Sequence, residues 1–105
     1  MKKYFVTGIS TEVGKTVVAA ILTEALKADY WKPIQSGDLD YDDTQKVQRL
    51  VSNTTSIFHK NSYALNTPMS PHASALIDGI KISLKKIKEP KTENHLVIEG
   101  SGGLL

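Results

Sequence analysis

"TGISTEVGKT", residues 7–16, is the stretch on which the fold of this chain turns. The usual phosphate-binding loop reads G-x4-G-K-[ST]. Here five residues, not four, separate Gly8 from Gly14, so the stretch is either a nucleotide site with one residue more or a glycine turn beside a solvated lysine. Its flanks favour the first. Upstream, Tyr4-Phe5-Val6-Thr7 is a β-rich run that reads as a buried strand. Downstream, Val17, Val18, Ile21, Leu22, Ala25 and Leu26 recur at helical spacing and predict a helix to about Ala28, with that stripe facing inward. Strand, glycine loop and helix in this order direct consecutive backbone N–H groups into a concavity at a helix N-terminus, where the dipole favours anions. In such a loop Lys15 reaches the outer phosphates and the Thr16 hydroxyl ligates Mg²⁺. One extra residue does not spoil this, since the amides that matter are those nearest the helix.

The remaining chain extends the pattern. "DYWKPIQSG", residues 29–37, reads as a second strand running into a loop at Pro33 to Gly37. A short helix starts at Asp42 or Asp43, either of which can cap it, with Val47, Leu50 and Val51 inward. Residues 52–69 are polar and read as loop. Ser70 as cap, Pro71 at the first helical position and Gly79 as terminator mark another helix, and Ile80 to Glu89 reads as an amphipathic helix stopped by Pro90. "HLVIEGSGG" closes the chain with an apolar strand, an acidic residue at its end and a second glycine loop. Strands alternating with helices predict an α/β fold, a parallel sheet flanked by helices of the P-loop NTPase type. Leu105 follows directly on the third candidate strand, where an α/β domain normally continues. The expectation is a single nucleotide-binding domain over 1–105 that is the amino-terminal part of a longer one.

Composition narrows the function classes. A chain of 105 residues suits one small domain, and 40% apolar residues with a net charge of +2 suit a globular protein. The basic residues are nearly all lysine, with Arg49 the single arginine, which does not match a nucleic-acid surface. No apolar run approaches the roughly 18 residues of a membrane span, and the stretch after "MKK" is too short for a secretory signal. Without cysteine there is no disulfide, thiolate metal site or cysteine nucleophile. A cytoplasmic protein is expected. His59, His72 and His95 lack metal-ligand spacing and are read as structural.

Beyond the loop, three positions suggest chemistry. Glu99 ends the strand "LVIE", and in parallel sheets ligands gather at the carboxyl ends of strands, so Glu99 and the Gly8 loop share a face. A carboxylate there can hold Mg²⁺ beside a triphosphate. Gly100-Ser101-Gly102-Gly103 directly after it suits contact with an anion. Lys32 falls near the end of the second strand, on that same face.

Taken together, "TGISTEVGKT", "KPIQSG", "SPHAS" and "EGSGG" occur in the order and spacing of dethiobiotin synthetase, and the chain resembles the amino-terminal half of that family. The family's own loop carries the extra residue. Ile9, Ser10 and Ser101 depart from its usual Thr, Asp and Ala. The resemblance implies ATP phosphates on the loop, with Glu12, Val13, Gly14, Lys15, Thr16, Val17, Asp43, Glu99, Gly100, Ser101 and Gly102 as ATP contacts. It implies Mg²⁺ held by Thr16, Asp43 and Glu99. Asp43 is selected over Asp42 because "DTQKVQR" matches the family's D-x4-Q-R stretch. Lys32 corresponds to the family's active-site lysine, with Lys15 as second catalytic cation and Ser36 and Thr11 as substrate contacts. The implied reaction joins 7,8-diaminononanoate, CO₂ and ATP into dethiobiotin through a carbamate and a carbamic-phosphoric anhydride, in a homodimer that needs neither nucleic acid nor membrane. Two other readings remain. One is an ATPase switch of the chromosome-partitioning type, which carries a second lysine in its loop where this chain has only Lys15. The other is a truncated, non-catalytic nucleotide-binding remnant.

Overall fold

Leu96-Val97-Ile98-Glu99 is buried along its whole length, because a strand covered on both faces needs no polar side. The computed structural model describes residues 2–7, 12–67 and 71–101, so Gly8 to Thr11, Ser70, Gly102 and Gly103 lie outside the described residues. In chain order the elements are β1 (Lys3–Val6), α1 (Glu12–Leu26), β2 (Asp29–Trp31), β3 (Ile34–Ser36), α2 (Asp43–Leu50), β4 (Tyr63–Leu65), α3 (Pro71–Asp78) and β5 (Leu96–Glu99). Two 3₁₀ turns, Leu39–Tyr41 and Leu84–Lys86, complete the set. The strands form a parallel sheet in the order β1-β5-β2 and a separate parallel pair, β3-β4. A parallel α/β architecture was the expectation, and the chain has it.

Side-chain alternation along β5 divides the core. Val97 faces α1 and α2 with Val6, Tyr30, Ala19, Ala20 and Val47, whereas Leu96 and Ile98 pack on the opposite face with Trp31 and Ile87. Glu99, two residues after Val97, therefore points to the α1 side.

Several expectations need correction. β1 is the edge strand, not a fully buried one, and Phe5 is 56% exposed while Val6 faces inward. The inward stripe of α1 is Thr16, Ala19, Ala20 and Thr23, because small side chains let the helix lie close to the sheet. Val17, Val18 and Ile21, expected inside, are exposed, Ile21 by 62%. Leu50 of α2 is likewise 58% exposed.

The second strand divides at Lys32-Pro33. β2 pairs with β5, but Pro33 offers no N–H to extend the ladder and β3 joins β4 in the second sheet. Gly37 then turns the chain at φ 74°, a left-handed value that glycine adopts freely, with its N–H donating to the Leu65 carbonyl at 2.7 Å. β4 lies inside the segment read as loop. So does a bridge in which Tyr30 donates its N–H to Ile57 O at 2.9 Å and accepts from His59 N–H at 2.9 Å, covering the outer edge of β2. The predicted helix over 80–89 is reduced to the 3₁₀ turn Leu84–Lys86, since Ile82 and Ile87 each serve to cover a sheet rather than a common helix face. α3 ends at Gly79, φ 71°, as its sequence anticipates.

Candidate nucleotide and metal site

α1 emerges from the carboxyl end of β1, and Glu99 sits at the carboxyl end of β5 in register with Val6. Gly100 donates its N–H to Val6 O at 2.9 Å and holds the two strand ends together. Glu12 and Val13 open α1, and Gly14, Lys15 and Thr16 follow within its first turns, Lys15 and Thr16 both buried. The N-terminus of a fifteen-residue helix thus adjoins the end of the central strand, a geometry that favours anions.

Around that junction four buried polar side chains converge. Thr16 Oγ1 donates to Glu99 Oε2 at 3.1 Å. Lys32, only 1% exposed, directs Nζ toward the same oxygen at 3.5 Å and hydrogen-bonds Asp43 Oδ2. Asp43 Oδ1 has a second cation, Lys46, at 3.6 Å. Burial pushes the Glu99 carboxyl above the usual glutamate range, against the pull of Lys32, Tyr30 and Thr16.

The division between the two aspartates is explicit. Asp42 caps α2 in a capping box, accepting from Gln45 N–H at 2.9 Å while Gln45 Oε1 accepts from Asp42 N–H at 2.8 Å. Asp43 is the first residue of α2 and turns inward. Gln35 fixes that start: its Oε1 accepts from Asp43 N–H at 3.2 Å and its Nε2 donates to Gly37 O at 3.0 Å.

Of the other predicted residues, Ser36 is buried, and among the described residues its hydroxyl has no hydrogen-bond partner. Ser101 donates to Ile34 O, tying the second glycine loop to β3. Gly100 is buried and Val17 lies on the exposed flank of α1. Thr11 and Gly102 are outside the described residues. A cleft of about 590 Å³ opens beside the cluster, between Thr16 and Val17 of α1 and Tyr41, Asp43, Lys46 and Arg49.

Among the described residues no three His, Cys, Asp or Glu side chains gather as a metal site. Two carboxylates and one hydroxyl do gather about Lys32, an all-oxygen donor set of the kind Mg²⁺ takes when phosphate and water oxygens supply the rest. The residues present fit such an ion.

A family profile described as an AAA domain matches residues 2–105. The chain belongs to that family. Its AAA domain is 69% identical over 104 residues to a protein of Christiangramia forsetii named ATP-dependent dethiobiotin synthetase BioD, an alignment covering 99% of this chain and 50% of that protein. Proteins of the same name from Cytophaga hutchinsonii and Chlamydia pneumoniae are 52% and 46% identical, with 51% and 47% of their lengths covered. The chain spans about half the length of the curated relatives it matches. No helix among the described residues of the AAA domain is long and apolar enough to cross a membrane.

Tyr30 and Gln35 escaped the sequence reading. Gln35 stood within "KPIQSG", yet nothing in a sequence announces that its amide spans from Gly37 to Asp43. Tyr30 read only as a β-former, and its hydroxyl donates to Glu99 Oε1 at 2.7 Å.

Proposed function

We propose that this chain provides the phosphate-binding and carboxylate-lysine part of an ATP-dependent dethiobiotin synthetase, with residues 1–105 acting as one P-loop nucleotide-binding unit. The convergence of Thr16, Lys32, Asp43 and Glu99 at the end of β5 carries the reading, together with relatives of that name at up to 69% identity.

The reaction is the joining of 7,8-diaminononanoate, CO₂ and ATP. One amine takes up CO₂ as a carbamate, the carbamate oxygen attacks the γ-phosphorus of ATP with release of ADP, and the second amine closes on the carbamic-phosphoric anhydride with loss of phosphate. Every species along this path is anionic and open to hydrolysis. The site must therefore present fixed positive charge and exclude water. Lys15 and the α1 N-terminus serve the outer phosphates. On this reading Lys32 would face the carbamate and the transferring phosphoryl group, and the Ser36 hydroxyl, without a partner among the described residues, would accept from or donate to substrate. Thr16, Asp43 and Glu99 would hold Mg²⁺, which would supply positive charge against the phosphates. Glu12, Val13, Gly14, Val17, Gly100, Ser101 and Gly102 complete the nucleotide contacts, with Thr11 beside the substrate. By the same resemblance the working protein is a cytoplasmic homodimer acting on small molecules.

The test is direct. The natural gene product is incubated with 7,8-diaminononanoate, bicarbonate and MgATP, and dethiobiotin and ADP are quantified. Equal amounts of both are expected. ATP hydrolysis that ignores the diamine would leave a nucleotide-binding protein of another kind.

A further inference from the structure

We propose that Tyr30 is a positioning residue for the Glu99 carboxylate: its hydroxyl fixes one oxygen so that the other is presented to Thr16, Lys32 and a metal ion. The proposal rests on the reading of Glu99 as a metal-holding carboxylate. A buried glutamate left to itself rotates about its last side-chain torsion, a broad and roughly two-fold one, and exchanges its oxygens. Here they are distinguished. Oε1 accepts from Tyr30 Oη at 2.7 Å, and Oε2 faces Thr16 at 3.1 Å and Lys32 at 3.5 Å. A phenol donating to a carboxylate is a charge-assisted hydrogen bond, stronger than one between neutral groups.

Tyr30 is itself rigidly held. Its backbone pairs with Val97 of β5 on one side and bridges Phe58 on the other. Its ring is fully buried and lies against that of Phe58, centroids 6.3 Å apart. The donor thus stands on a strand, one residue before Trp31 and two before Lys32, and transmits the position of β2 to the metal carboxylate on β5. Partners that orient a metal ligand typically contribute roughly 10- to 100-fold in metal affinity.

The experiment measures Mn²⁺ binding to the natural gene product by electron paramagnetic resonance, in the presence of an ATP analogue with a non-hydrolysable β–γ bridge. Tyr30→Phe is compared with the parent, with Glu99→Gln and with Phe58→Leu, all below the melting temperature of the least stable variant. Tyr30→Phe should weaken Mn²⁺ binding by roughly 10- to 100-fold. Phe58→Leu, which disturbs the same aromatic contact but no hydroxyl, should lower the melting temperature and leave Mn²⁺ affinity in place. Three outcomes overturn the proposal. If Tyr30→Phe binds like the parent while Glu99→Gln does not, Tyr30 has no positioning role and the metal reading stands. If Tyr30→Phe and Phe58→Leu lose affinity equally at matched stability, the tyrosine only packs. If Glu99→Gln binds normally, both the metal reading and the inference fall.

Discussion

Lys32 Nζ lies 3.5 Å from Glu99 Oε2, with both side chains buried. The same ammonium bonds Asp43, so Lys32 faces two carboxylates away from water, Asp43 having Lys46 as a second, partly exposed cation at 3.6 Å. Removing a single member of such a buried cluster leaves charge uncompensated, at about 3–5 kcal/mol. Lys32→Gln is therefore expected to do two things. Product formation falls roughly a hundred- to a thousandfold, because one preorganised positive group at a developing charge is lost. Stability in metal-free buffer also falls, and Mg²⁺ restores part of it by neutralising the carboxylates that Lys32 no longer faces. Nucleotide affinity at Gly14-Lys15-Thr16 stays nearly intact. Melting curves with and without Mg²⁺, beside a dethiobiotin assay, check both effects; a variant that melts and turns over like the parent would place Lys32 outside the chemistry.

Lys15→Ala and Thr16→Ala separate charge from metal. Both side chains are buried at the start of α1, but on the proposed reading Lys15 would supply an ammonium to the phosphates, whereas Thr16 offers a hydroxyl aligned with Glu99 at 3.1 Å. Each change should remove most ATP turnover. Raising Mg²⁺ should recover activity only in Thr16→Ala, whose defect is a missing ligand. Identical responses to Mg²⁺ would dismiss this division of labour.

Gln35 offers a test in which no group of the proposed chemistry is altered. Replacing it with Leu keeps the volume but leaves the Asp43 N–H and the Gly37 carbonyl without their partner. A buried group left unsatisfied costs about 1–3 kcal/mol. Gln35→Leu should shift the denaturant midpoint accordingly and weaken Mn²⁺ binding, since Asp43 is no longer anchored at the first residue of α2. A shifted midpoint with unchanged Mn²⁺ affinity would confine Gln35 to folding.

Acid should loosen the 52–59 segment first. Glu24 accepts from Ser52 and Asn53, and those bonds hold its carboxyl at about 2. For Asp29 burial acts to raise the pKa, but hydrogen bonds from Asn94, Thr92, His59 and the Ile57 amide outweigh it and keep the carboxyl below its ordinary range. Both folded values lie below the unfolded values of about 4, so their stabilisation is complete above that pH and is lost as pH falls below it, for Glu24 toward about 2. Protection of the 52–59 amides, relative to their intrinsic exchange at each pH, should fall over that window, and Asp29→Asn should flatten the response. A protection pattern constant from pH 5 to pH 2.5 would show that these carboxylates carry no such linkage.

The sequence by itself determined the local units. A β-rich run, a glycine-rich stretch and a helix after Gly14 are written in residues 4–28, because strand propensity, glycine freedom and helical periodicity act over a few residues, although the helix itself begins two residues earlier, at Glu12. The same holds for the strand 96–99 with its terminal Glu99, whereas local rules left Asp42 and Asp43 equal as caps and only the resemblance to a family's D-x4-Q-R stretch singled out Asp43, which the fold turns inward. Tertiary structure decided which faces of these units are covered. α1 presents Ala19, Ala20 and Thr23 to the sheet and leaves Val17, Val18 and Ile21 outside, since close approach to β5 selects small side chains over apolar ones. It decided that β2 and β3 part at Pro33, that residues 63–65 become a strand by pairing with β3, and that the lysines of 80–89 form no long helix. Most of all, it decided that Tyr30, Lys32, Asp43 and Glu99 meet. Their separations of 11, 67 and 69 residues along the chain are invisible to any local rule, and only parallel pairing through β5 converts them into bonds.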